Sequence, residues 1–224
     1  MLLHTGYGVR YMSDLKYPDF KEIEASLMRP KSWWAVATVL PLLRPFLYIY
    51  MRFTPLPAWV LTLSSFFSGV YSAWEFLNCR FVTGALLFQL SFFLDCADGA
   101  VARLKKKTSD YWGYIDFMLD RFRFFFMVTG LALGTFNIFT GMLFLFLGFL
   151  YFLPWKFIDR IREKKKPGEY FRYPIDVEAQ ALAFFIFPIL RKVNMGFIAG
   201  SGLLFFDFLL FSWYYFKLLR SKKQ

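Results

Sequence analysis

Histidine is almost missing from this chain. His4 is the only one in 224 residues, and it lies next to the terminus. That argues against a histidine base and against a histidine-ligated metal. Cysteine is equally scarce. Cys79 and Cys96 are the only two, too few for a disulfide framework, and Cys96 falls inside an apolar stretch. The polar first 32 residues contain no short apolar segment with a cleavage site, so no secretory signal is expected. There is no internal repeat and no low-complexity tract. No module interleaving basic and aromatic residues stands outside the apolar stretches, which excludes nucleic-acid binding.

What the chain does have is apolar surface. It is 58% apolar and 23% aromatic, with 32 Phe, more than a soluble domain of this size requires. The apolar residues fall into long stretches, so the expected fold is an all-α polytopic membrane protein. Residues 1–32 are polar and mixed in charge, and read as a cytosolic arm. Residues 33–56 are apolar but interrupted by Pro41, Arg44, Pro45 and Arg52. They are expected to form an amphipathic helix lying in the membrane interface, with Trp33 and Trp34 at headgroup level. Residues 57–224 then form one membrane domain of six spans, at about 57–79, 82–103, 111–136, 138–155, 176–193 and 196–218. The very short connections at 80–81 and 136–138 make antiparallel hairpins.

Charge orients this arrangement. With six spans, the N-terminal arm, the 103–110 loop, the 156–175 loop and the C-terminal tail share one side. They hold 20 of the 27 Lys and Arg. By the positive-inside rule that side, with both termini, is cytoplasmic. The net charge of +11 fits such loops, and it also fits attraction to anionic lipids or phosphorylated substrates.

Four acids then stand where hydropathy expects membrane: Asp95, Asp98, Asp116 and Asp120. An ionised carboxylate at the bilayer centre costs roughly 2.5–3.5 kcal/mol even on the lenient insertion scale, and four together repel one another. Asp95 and Asp98 are spaced i, i+3, and Asp116 and Asp120 are spaced i, i+4, so each pair occupies one helix face. A short loop joins the two helices, which lets the faces meet near the cytoplasmic surface. Four convergent carboxylates make a hard, all-oxygen site suited to Mg²⁺ or Mn²⁺. Gly99 and Ala102 leave bare backbone beside them, and the planar fork of Arg103 suits a phosphate. Pairing with Arg121 or Arg123 would account for one or two of the acids but not for all four at this spacing. A divalent-cation transporter using the same acids is the alternative from a different class. Arg121, Arg123, Arg160, Arg162 and Arg172 border the same side. Arg121 and Arg172 are the candidates for a phosphate on an acceptor, whereas Lys164, Lys165 and Lys166 read as a membrane-surface anchor. Glu75 reads as interfacial, Cys96 as a packing residue, and Asp207 has no role.

The whole string, from Asp95 through Asp98-Gly99, Ala102-Arg103 and Asp116 to Asp120, resembles the signature of the CDP-alcohol phosphatidyltransferase family. One position departs. The family has glycine four residues before the third aspartate, and this chain has Trp112, with Gly113 one residue later. A Pro-Asn-x-x-Thr start seen in the family has a weaker counterpart here, with Ala58 and Leu61 at its polar positions. Phe88-Gln89-Leu90-Ser91 and Leu119-Asp120-Arg121 are most similar to the members that transfer to inositol phosphates. The resemblance implies a membrane transferase of phospholipid biosynthesis. It would move a substituted phosphate from CDP-diacylglycerol or a CDP-alcohol to an alcohol and release CMP. It implies two divalent ions held by Asp95, Asp98, Asp116 and Asp120, with Asp120 also the general base. Gly99, Ala102 and Arg103 would line the cytidine nucleotide pocket, and the protein would be a homodimer. Serine, glycerol phosphate, ethanolamine or choline substrates are the alternatives within the same chemistry.

Overall fold

The computed structural model describes residues 18–27, 32–54, 56–153 and 175–221. All regular structure among the described residues is helical. The first helix, α1 (Phe20–Ser26), starts at a capping box. The Asp19 carboxylate accepts from the Glu22 backbone N–H at 2.7 Å, and the Glu22 carboxylate accepts from the Asp19 N–H at 3.0 Å. α2 (Ala35–Phe53) opens with a π-helical turn, Ala35–Val39, and continues as Leu40–Phe53. Pro41, which has no N–H to donate, directly follows the π-helical turn. α3 (Ala58–Leu77), α4 (Phe81–Leu104), α5 (Asp110–Gly134) and α6 (Ile138–Leu150) follow. α7 covers 175–189, with a π-helical stretch at Leu182–Ile186, and α8 is Val193–Ser221.

The turns between these helices are closed in one way. Cys79, Lys106, Phe136 and Arg191 all adopt left-handed backbone, with φ between 52° and 58°. At the α3–α4 turn the Cys79 N–H reaches the Phe76 carbonyl at 3.0 Å, and the Arg80 N–H reaches Glu75 at 2.9 Å. This is the paired closure of a Schellman turn, made here without glycine. Three-residue reversals of this kind force α3 against α4 and α5 against α6.

Among the described residues, three helices are long and apolar enough to cross a membrane: α2 (Ala35–Phe53), α4 (Phe81–Leu104) and α8 over Val193–Lys217. This is fewer than the six spans expected from sequence. α3 has 20 residues and α5 has 25, ample for a crossing, but both carry polar side chains that lower their apolar character. Those side chains turn inward: Ser65, Ser72 and Glu75 on α3 and Arg123 on α5 are all buried. The described part of α6 has 13 residues. α2, read from sequence as interfacial, has the length and composition of a span.

Two apolar clusters hold the helices. In the first, the Phe184 ring of α7 packs against Phe76, Phe88, Phe124 and Phe144, with centroids 5.4 to 6.4 Å apart. In the second, Ile23 of α1 and Leu43 and Leu47 of α2 pack with Ala97, Ala100 and Val101 of α4. α4 serves both clusters, and Asp95 and Asp98 lie where it passes from one to the other. Small residues bring α3 and α5 together. A Cβ at Gly130 would meet the backbone of Ala73, and one at Gly134 the backbone of Phe76 and Leu77.

This packing bears on two sequence expectations. Trp33 is exposed, but Trp34 is buried. The Trp34 indole N–H donates to Gln89 at 3.1 Å, and its ring packs edge-on against Phe185. It therefore pins the start of α2 to α4 and α7. Glu75, read as interfacial, turns inward near the end of α3. It is 2% exposed and pairs with Arg80 at 3.5 Å.

Candidate active site

The site is built on the C-terminal half of α4 and the N-terminal half of α5. Ser109 caps α5 by accepting from the Trp112 N–H at 3.2 Å. The Lys105 ammonium donates to the Leu56 carbonyl at 2.5 Å and lies 5.4 Å from the Tyr50 ring centroid, tying the α4–α5 turn to the end of α2. The two carboxylate faces meet as their spacing requires. Asp95, Asp116 and Asp120 each offer an oxygen within 4.8 Å of the others.

Asp98 lies outside that triplet. It is 5% exposed, and its Oδ2 is buried without a hydrogen-bond partner. An orphaned carboxylate oxygen beside three clustered carboxylates is costly unless a cation shares the space. The donors are all hard oxygens, so the residues fit a divalent ion such as Mg²⁺ or Mn²⁺.

Arg123, raised from the sequence as a possible partner of Asp116 or Asp120, stands at the centre of the cluster and pairs with Asp120 and Asp95. Its guanidinium bridges Asp120 at 2.7 Å and Asp95 at 3.3 Å. It also donates to the hydroxyls of Ser65 on α3 and Ser91 on α4, the latter at 3.2 Å. Those serines are locked to each other's helices. The Ser65 hydroxyl donates to the Ser91 carbonyl at 2.8 Å, and the Ser91 hydroxyl to the Ser65 carbonyl at 2.7 Å. The available signal was the i, i+3 spacing of Arg123 from Asp120, together with serines recurring in an apolar helix. Thr62, one position beyond Leu61, lies with Ser65 and Phe66 against Asp95, Asp116 and Asp120.

The proposed nucleotide residues lie side by side at the end of α4. The Arg103 Nε donates to the Ser26 carbonyl of α1 at 2.5 Å. Its two terminal nitrogens lie over Gly99, where a Cβ would stand 3.2 and 3.5 Å from them. A side chain there would press on the fork by only a few tenths of an ångström. Ala102 is half-buried on the same turn. Trp112 is 48% exposed and stacks edge-on with Tyr111. A Cβ at Gly113 would meet nothing within 4 Å, so the displaced glycine answers no steric demand.

On the other flank a crevice of about 420 Å³, open solvent included, lies between the acids and α7. Asp95, Asp120, Arg121, Asp176 and Gln180 line it. The Arg121 guanidinium stacks 4.0 Å from the Phe152 ring centroid and 5.4 Å from that of Phe117. Arg172, the second candidate for an acceptor phosphate, lies outside the described residues, as does the Lys164–Lys166 run. Cys79 and Cys96 are both free thiols.

A family model described as CDP-alcohol phosphatidyltransferase matches residues 55–206. The chain belongs to the CDP-alcohol phosphatidyltransferase family. The match contains α3, α4, α5 and α6 entire, and with them every aspartate of the cluster. Among curated relatives, the archaetidylinositol phosphate synthase of Methanothermobacter thermautotrophicus is 32% identical over 111 residues, covering 49% of this chain and 57% of that protein. The archaetidylinositol phosphate synthase of Pyrococcus horikoshii is 31% identical over 74 residues, covering 33% of this chain and 39% of that one. The bifunctional IPC transferase and DIPP synthase of Archaeoglobus fulgidus is 41% identical over 73 residues, covering 33% of this chain and 15% of the relative. The chain thus spans little more than half the length of the relatives it matches, or less.

Proposed function

We propose that this chain transfers a substituted phosphate from a CDP-linked donor, CDP-diacylglycerol or a CDP-alcohol, to an alcohol acceptor, with release of CMP. An inositol phosphate is the acceptor that the relatives' names favour. The observation that carries the reading is the meeting of Asp95, Asp116 and Asp120 within 4.8 Å, inside the segment that the family model covers. In this reading two divalent ions, Mg²⁺ or Mn²⁺, are held by Asp95, Asp98, Asp116 and Asp120. When bound they neutralise charge on the donor's diphosphate and on the departing CMP.

The remaining work belongs to the chain's own residues. Asp120 takes the proton of the acceptor hydroxyl. The hydroxyl oxygen then forms a bond to the phosphorus that carries the lipid or alcohol, and the bond from that phosphorus to the CMP oxygen breaks. Gly99, Ala102 and Arg103 receive the cytidine nucleotide. Arg121, fixed over Phe152 at the crevice, receives the acceptor's phosphate, and Arg172 shares that role.

The same reading takes α3, α4, α5, α6, α7 and α8 as six membrane crossings after an interfacial α2, with the site and both termini on the cytoplasmic side. It takes the protein as a homodimer, which cross-linking in lipid vesicles tests. The chemistry is tested on purified protein in detergent. CMP should appear from a CDP-linked donor only when Mg²⁺ or Mn²⁺ is present, and fastest with an inositol phosphate among the acceptors offered. Absence of CMP with every donor, combined with metal flux into liposomes, would replace the transferase by a transporter.

A further inference from the structure

Arg123 is too well housed to be an incidental partner of the acids. Its stem runs beside Gly69 of α3, where a Cβ would overlap its Cγ and Cδ. Ser65 and Ser91 receive one of its terminal nitrogens, and the guanidinium spans Asp95 and Asp120. The side chain is 10% exposed. Three helices therefore cooperate to hold one cation against two of the four carboxylates that the proposed function assigns to divalent ions. A guanidinium and a divalent ion that share these carboxylates repel each other, and at short range in a partly buried site that repulsion is large.

We propose that Arg123 is a resident counter-cation and positioning residue. It holds Asp95 and Asp120 together before a divalent ion arrives, and it weakens ion binding in exchange for a fixed geometry at the base. The inference rests on reading the acids as a divalent-cation site. The guanidinium takes Oδ1 of Asp95 and Oδ1 of Asp120, so each carboxylate keeps its other oxygen for an ion. Losing the charge should tighten ion binding. Losing the bridge should let Asp120 wander from the position in which it meets the acceptor hydroxyl.

The test compares wild type, Arg123→Met and Arg123→Lys in detergent, with Mn²⁺ affinity read by electron paramagnetic resonance and thermal melts run with and without Mn²⁺. Arg123→Met should bind Mn²⁺ at least about tenfold more tightly than wild type, and Mn²⁺ should raise its melting temperature by more. Its kcat should fall while KM for the donor changes little. Arg123→Lys should keep the weaker wild-type Mn²⁺ affinity, because it keeps the charge. An arginine that only ties helices together would lower the melting temperature equally with and without Mn²⁺ and leave affinity unchanged. That result overturns the proposal. If Arg123→Met does not fold, Gly69→Ala displaces the same stem and should tighten Mn²⁺ binding by a smaller factor; no change there also overturns it. A wild type that binds no Mn²⁺ would remove the cation-site reading itself, whereas equal affinities in wild type and variant remove only the role of Arg123.

Discussion

At the scale of the residue, each aspartate has its own surroundings. Asp120 is pinned by Arg123 at 2.7 Å and borders the crevice that leads to Arg121. Asp98 sits deeper, with an oxygen facing no partner. If Asp120 is the base, Asp120→Asn should abolish CMP release while CDP-donor binding stays measurable by calorimetry. Turnover near the wild-type rate would take the base role from it. The four acids were legible in the sequence because helical spacing alone puts them on facing surfaces. The pairing of Arg123 with Asp120 was legible as well, but its bridge to Asp95 on the neighbouring helix was not, because spacing along one helix does not report contacts across two. Ser65 and Ser91 were hidden for a related reason. A serine in an apolar helix usually satisfies itself on its own backbone, and nothing in the string says that these two reach across to each other's helix.

At the scale of the element, polar side chains that build the site also disguise the helices carrying them. Ser65, Ser72 and Glu75 make α3 look less like a crossing, and Asp116, Asp120, Arg121 and Arg123 do the same for α5. The six-span expectation drew those helices from their length, and both are formed. Their contact leaves no spare room at Gly130, where any side chain meets Ala73 backbone. Gly130→Leu should therefore cost about 1–3 kcal/mol through overpacking, seen as a lowered melting temperature in detergent. Gly113→Ala, facing open space, should melt at or above wild type, because alanine costs a helix less than glycine by roughly 0.5–1 kcal/mol. Equal losses for both would mean that α3 and α5 do not touch as described.

At the scale of the whole molecule, the turn at Cys79 and the turn at Lys106 close opposite ends of α4. If the charge rule orients the chain correctly, a membrane-impermeant maleimide should label the exposed Cys79 only from the outer side of sealed vesicles. Lys106→Cys, made with Cys79 replaced by Ser, should be labelled only from the cytoplasmic side. Labelling of both from one side would refute the crossing of α4. Metal dependence is also a property of the whole site. Chelation should stop CMP release, and readdition of Mg²⁺ or Mn²⁺ should restore it, since no histidine or thiolate among the clustered residues offers another route.

The Glu75–Arg80 pair has a consequence for how the chain enters a bilayer. A lone glutamate near the tip of α3 would be dragged across hydrocarbon as a bare charge. The reversal at 78–80 holds Arg80 within 3.5 Å of that carboxylate, so the tip travels as a neutral pair. Because the turn is only three residues long, α3 and α4 are expected to insert together as one hairpin, with the carboxylates of α4 trailing on the side where synthesis takes place. Arg80→Ala should then reduce the fraction of chains integrated during translation, while protein that has already inserted keeps its activity.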